Sequence, residues 1–191
     1  MERQAGKMSR FRKTALFAIV VALLCTAVSL AGCGGSGGSL KSEEVSVGDC
    51  SVKFTGYRWD DGKDWGKKSD YAVFVLSCTV TNNGNSPVRP ADHFLVRVAF
   101  EGRGTGQGNV NTLRVEIPSG NEEIAPGESA EVLLYDTVDV GRKKSYYDGC
   151  MATAEWGWAD DLSGVNLGIS QEAYQAFENL DEVHTLPLGQ A

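Results

Sequence analysis

Read for its hydrophobic and polar positions, the chain changes character twice. Residues 14–30 (TALFAIVVALLCTAVSL) are uncharged and strongly apolar. From residue 45 onward the pattern becomes one of short strands. In 45–57 (VSVGDCSVKFTGY), Cys50, Val52 and Phe54 share one face. Residues 71–81 (YAVFVLSCTVT) are rich in β-branched and aromatic side chains and apolar on both faces at the start, which predicts a central, covered strand. Asn82-Asn83-Gly84-Asn85 then supplies turn residues. Phe94, Val96, Val98 and Phe100 alternate with Leu95, Arg97, Ala99 and Glu101. Residues 113–117, residues 131–138 after the Pro126-Gly127 turn, and residues 151–158 complete the series, the last with Ala152, Ala154, Trp156 and Trp158 on one face. Several short strands joined by turn signals predict an all-β chain folded as an antiparallel sandwich. The second change comes at the tail. Ser170 is placed to cap a helix over about 171–182, with Ala173, Phe177 and Leu180 at positions i, i+4 and i+7. Its apolar stripe is expected to pack on the sandwich or cover an edge.

The apolar run 14–30 has its own meaning. Arg3, Lys7, Arg10, Arg12 and Lys13 precede it, and Leu30-Ala31-Gly32-Cys33 closes it. A cationic start, an apolar middle and small residues at the end are the three parts of a secretory signal. Leu-Ala-Gly-Cys reads as a bacterial lipobox, with Cys33 as the acylated residue. Seventeen uncharged residues lie at the short end for a spanning helix, so lipidation is favoured over a retained span. Gly34-Gly35-Ser36-Gly37-Gly38-Ser39 follows and reads as a flexible tether. The expected organisation is therefore signal peptide 1–32, lipidated Cys33 and tether 33–44, sandwich 45–160, and helical extension 161–191. The expected location is the extracytoplasmic face of the cell membrane, held there through the lipid on Cys33.

Removal of the signal changes the charge more than the length. Five of the 18 basic residues but only one of the 25 acidic ones precede Cys33, which leaves a net charge of about −11 on 159 residues. Such acidity argues against nucleic acid as a partner and against direct docking on anionic headgroups. With Cys33 assigned to lipid, Cys50, Cys78 and Cys150 remain. Cys78 alternates with Phe74, Leu76 and Val80 and is expected in the core as a small hydrophobe. Cys50 and Cys150 are the better candidates for a disulfide, the pair Cys78 and Cys150 competes with them, and connectivity stays open.

Two segments carry a resemblance. Residues 75–84 (VLSCTVTNNG) and 124–131 (IAPGESAE) resemble the strand-and-turn signatures of telokin-like, immunoglobulin-like domains of unknown function in exported bacterial lipoproteins. The resemblance spans roughly 45–158. It implies an extracytoplasmic immunoglobulin-like β-sandwich and supplies no shared catalytic residues. The helical tail and the long loop expected over 58–70 depart from it.

Candidate chemistry is sparse. His93 and His184 are far apart in sequence, and the cysteines are not spaced as metal ligands, so no metal and no cofactor is expected. There is no GxSxG nucleophile turn. Residues 102–108 (GRGTGQG) lack the ending of a phosphate loop. Asp60, Asp61 and Asp64 lack the order and closing Glu of a calcium hand. Near the end, Leu186-Pro187-Leu188-Gly189 lacks the features of a sortase signal. What remains is the segment with Tyr57, Trp59, Asp61, Asp64 and Trp65, where aromatic faces beside carboxylates suit a sugar ring or a protein interface. The opposing expectation is that Tyr57 and Trp59 close the base of the sandwich and only Trp65 is exposed. The function expected from all this is a non-catalytic binding module for an envelope protein, with a cell-wall glycan as the alternative ligand and an enzyme the least favoured.

Overall fold

The computed structural model describes residues 37–66, 72–101, 111–112, 114–135, 149–166 and 171–190. The expected signal segment, Cys33 and Ser170 lie outside these. Among the described residues, ten strands form two antiparallel sheets. They are β1 Gly37–Ser39, β2 Val45–Val47, β3 Cys50–Asp61, β4 Ala72–Asn82, β5 Phe94–Phe100, β6 Asn111–Thr112, β7 Arg114–Glu116, β8 Ser129–Tyr135, β9 Met151–Trp158 and β10 His184–Gln190. The first sheet runs β1–β3–β4–β8–β7, with β2 also paired to β3, and the second runs β10–β9–β5–β6. Strands β3, β4, β8 and β7 follow the A-B-E-D order of an immunoglobulin domain, and β10, β9 and β5 follow G-F-C. The fold is an immunoglobulin-like sandwich with, among the described residues, one short α-helix, α1, Gln171–Glu178.

The core forms where period-2 apolar residues from both sheets meet. Val52, Phe54 and Trp59 of β3 and Phe74, Leu76, Cys78 and Val80 of β4 face Phe94, Val96 and Val98 of β5 and Ala152, Ala154 and Trp156 of β9. Aromatic rings interlock within the first sheet and across to the second. Phe54 meets Phe94 and Trp156 at centroid distances of 6.5 and 5.2 Å, and Trp59 meets Phe74 and Phe100 at 5.2 and 5.5 Å.

Outside the second sheet, α1 lays Phe177 over Leu95 and forms a second small core with Leu162, Val165, Ala176 and Leu180, and Ala173 on the same helix is fully buried. Arg97 from β5 reaches out of that face. It pairs with Glu155 at 2.5 Å and Glu178 at 3.5 Å, with its guanidinium 4.1 Å from the Phe177 ring centroid. Gly157 is required beneath this layer, because a Cβ there would stand 2.6 Å from the Glu182 carbonyl oxygen. The helix packs as the i, i+4 spacing predicts and is shorter than the predicted span.

At one end of the sandwich, Asn82 ties two turns together. Its side-chain amide donates to the carbonyls of Ser86 (2.8 Å) and Ile124 (2.9 Å), and its Oδ1 accepts from the Gly84 amide. The backbone of Asn82 also pairs with Glu128 and Gly127. The two segments that carry the family resemblance thus meet at one fully buried polar residue.

Four expectations need correction. The loop expected over 58–70 begins only after Asp61, because Arg58–Asp61 continue β3 in register with Ala72–Val75. The stretch 45–57 is two strands, because Gly48 at φ 53° turns the chain between Val47 and Cys50. The sandwich extends beyond 45–160 at both ends: Gly37–Ser39, expected in a free tether, pairs with β3, and His184–Gln190, expected in a helical extension, pairs with β9. Pro187 and Gly189 disguise β10, yet an edge strand accommodates both at a bulge. The expected Cys50–Cys150 bridge is absent, and Cys50, Cys78 and Cys150 are free, buried thiols. Their positions explain why. Cys50 follows the Gly48 turn, which approaches Trp158, whereas Cys150 precedes the other end of β9. Eight residues of strand place those ends about 26 Å apart, far beyond disulfide reach. Cys78 lies in the core as expected, and burial pushes its thiol far above the ordinary value.

Candidate functional site

The alternation of β3 sends its aromatic residues and its charges to opposite faces. A register shift between Phe54 and Gly56 leaves Tyr57 and Trp59 facing the core, opposite Leu76 and Phe74. Tyr57 stacks on Phe74 at 5.9 Å, and Trp59 is 5% exposed. Arg58 and Asp60 therefore point outward, opposite Val75 and Val73. Asp61 ends the strand and caps a 3-10 turn, Gly62–Trp65, by accepting from the Lys63 amide at 3.0 Å. Gly66, at φ 69°, closes the turn. This turn folds Trp65 back over the outer face of the first sheet.

There Trp65 completes a chain of contacts. Its indole N–H donates to Asp60 Oδ2 at 3.1 Å, and the same carboxylate accepts from Arg58 Nε at 2.8 Å. Its ring lies 4.3 Å from that of Tyr135, tilted by 37°. Burial, and after it the Glu116 carboxylate nearby, raises the Tyr135 value. In register, Arg58, Val75, Tyr135 and Arg114 form one row across four strands. Trp65 thus reaches from β3 to β8 across β4, where Val73 and Val75 are buried. The result is a half-buried aromatic pair rimmed by Arg58, Arg114, Asp60 and Glu116.

The predicted set is split by this geometry. Tyr57 and Trp59 belong to the core side, Asp61 and Asp64 are exposed on the turn, and Trp65 alone joins the outer face. The base-of-sandwich expectation holds for Trp59 and in part for Tyr57, while Trp65 is half-buried. Asp60, Tyr135 and Glu116 are the residues that sequence reasoning missed. The Arg58-x-Asp60 alternation was a legible signal for a charged outer face. Tyr135 had none, because its partner lies 70 positions away.

Elsewhere, the two histidines each stack on a tryptophan. His93 lies 5.0 Å from Trp158 and donates from Nδ1 to the Ala159 carbonyl at 2.9 Å. His184 lies 4.6 Å from Trp156. A cleft of about 270 Å³ opens between the Pro90 turn and Val115–Ile117, beside the Arg89–Glu122 ion pair at 2.5 Å. Among the described residues, no group of three or more His, Cys, Asp or Glu is placed to hold a metal ion. No helix there is long and apolar enough to cross a membrane.

No family model matches the chain, and no curated protein matches it. Among the solved structures similar to this chain are two from bacteria. One is a conserved hypothetical protein from Bacillus anthracis, at 13% identity and a TM-score of 0.44, covering 73% of this chain and 100% of that one. The other is a functionally unknown protein from Listeria monocytogenes, at 11% identity and a TM-score of 0.39, covering 83% of this chain and 89% of that one.

Proposed function

We propose that this chain is a lipoprotein anchored through Cys33 on the extracytoplasmic face of the cell membrane, where it binds a protein of the envelope without catalysis. The observation that carries the binding reading is the Trp65–Tyr135 pair on the outer face of the first sheet. A half-buried aromatic pair with a charged rim has the composition of an interface hot spot. Trp65 is already held by Asp60 and by the Tyr135 ring, so little ordering entropy is lost on binding. The same hydrogen bonds weigh against a sugar, because Asp60 already serves Arg58 and Trp65 rather than ligand hydroxyls.

The test is crosslinking on intact cells that produce the lipidated protein, followed by mass spectrometry. Wild type is expected to capture a reproducible envelope protein, and Trp65→Ala to reduce that capture by about tenfold or more, the effect of removing a hot-spot residue. Capture of cell-wall glycan alone would replace the protein partner with a sugar. Undiminished capture by Trp65→Ala would remove this face from the reading. Fatty-acid labelling that persists in Cys33→Ser would remove the anchor.

A further inference from the structure

The glycine and serine residues after Cys33 are read from sequence as a spacer, yet the structure uses them as part of the sheet. Gly37, Gly38 and Ser39 pair with Arg58, Tyr57 and Gly56. Beyond them the Leu40 amide donates to the Thr55 carbonyl at 3.0 Å, the Ser42 hydroxyl donates to the Phe54 carbonyl at 2.9 Å, and β2 continues the pairing to Cys50. The segment 37–47 is thus fastened to β3 at points from Cys50 to Arg58. Glycine is required for this approach. A Cβ on Gly37 would overlap the Tyr57 carbonyl oxygen, one on Gly38 would stand 2.7 Å from the Tyr57 ring, and one on Gly56 would stand 2.9 Å from the Gly38 carbonyl oxygen.

This docking limits both reach and direction. Gly37 is four residues from Cys33, so even a fully extended chain separates their Cα atoms by at most about 14 Å. Because β1 is antiparallel to β3, its N-terminal end lies at the Arg58–Asp61 end of that strand, beside the Gly62–Trp65 turn. The opposite end of β3 is about 35 Å away, from its twelve residues. Charge separates the two ends as well. The described turns at the far end expose Asp49, Glu122, Glu123, Glu128, Asp160 and Asp161, with Arg89 as their one basic residue. Near the anchor, Arg58, Lys63 and Arg114 are interspersed with the acids. An anionic headgroup layer repels the far end more strongly.

We propose that Gly37–Ser39 is a docking strand that holds the sandwich close against the lipid surface, with the Gly62–Trp65 turn toward the bilayer and the acidic turns pointing away. This rests on acylation of Cys33, and it deepens the function above: the Trp65–Tyr135 face lies on the membrane side of the module, within reach of a partner at the bilayer surface.

The full lipidated protein is reconstituted into vesicles of phosphatidylethanolamine and phosphatidylglycerol that carry a headgroup acceptor dye. A donor dye is placed at position 63 in Lys63→Cys or at position 122 in Glu122→Cys. Energy transfer is expected to be severalfold higher from 63 than from 122. Six additional Gly/Ser residues inserted between Cys33 and Gly37 leave the docking strand intact and are expected to erase most of that difference. The pair Gly37→Val with Gly38→Val, which undocks the strand, is expected to do the same. Equal transfer from both sites in vesicle-bound wild type overturns the docking proposal alone, as does an unchanged difference in the insertion variant. Failure of the protein to bind vesicles, with no fatty acid on Cys33, overturns the anchor and the proposal together.

Discussion

The two sheets turn different outer faces to their surroundings. Over the second sheet, the chain's own helix buries Phe177 against Leu95 and Leu162, so a second small core forms there. Over the first sheet, the described covering is a single turn that lays Trp65 against Tyr135 and holds it by a hydrogen bond to the Asp60 carboxylate. The first arrangement buries a continuous apolar stripe and is committed to stability. The second leaves aromatic surface half-buried within a charged rim, the composition that recognition uses. An alternating strand has the same two faces in both sheets, and what lies over the face decides its use.

The comparison breaks most easily at the helix. Phe177→Ala is expected to destabilise the fold by about 3–5 kcal/mol, because it opens a cavity under α1 and removes the ring beneath Arg97. Urea unfolding monitored by tryptophan fluorescence measures it, and a loss near zero would mean the helix adds no stability to the second sheet. A smaller effect is expected from Gly157→Val, whose branched side chain meets the Glu182 backbone and Leu180. Overpacking of that kind costs about 1–3 kcal/mol, and the same unfolding curves report it.

The smallest effect sharpens the other face. Tyr135→Phe keeps the ring against Trp65 and removes the hydroxyl that interacts with the Glu116 carboxylate, a loss of about 1 kcal/mol or less at a partly exposed site. Its pH dependence has a definite sign. A tyrosine whose folded value is raised above the ordinary 10.0 binds its proton more tightly when folded. The wild-type advantage is therefore complete below pH 10.0 and lost as pH rises through the raised value. Parallel urea midpoints of the two proteins near neutral pH and above pH 10.0 check this.

Much of the sandwich was legible because period-2 alternation maps directly onto faces. Leu76, Cys78 and Val80, and Ala152, Ala154 and Trp156, were placed inward by spacing alone, and the core contains them all. The helical stripe of Ala173, Phe177 and Leu180 was legible for the same reason. The edges were not. Strand β1 consists of glycine and serine, and its pairing rests on backbone hydrogen bonds and close approach that no hydrophobic pattern records. Strand β10 carries a proline and a glycine that only an edge position with a bulge tolerates. The aromatic residues at 57, 59 and 65 looked like one cluster in sequence. A one-residue register shift in β3 and a 3-10 turn sent two to the core and one to the opposite face.

The sequence by itself determined the all-β class, the inward faces of the strands and the amphipathic helix, because those follow from the periodicity of neighbouring residues. It also carries the signal-like segment and Cys33, whose chemistry is read in linear order. Only the tertiary structure decided which strands pair, that the glycine segment is part of a sheet, that Cys50 and Cys150 stand at opposite ends, and that Trp65 meets Tyr135. Each of these depends on residues distant along the chain. Their contact is set by strand register and edge position, which emerge only when both sheets are assembled.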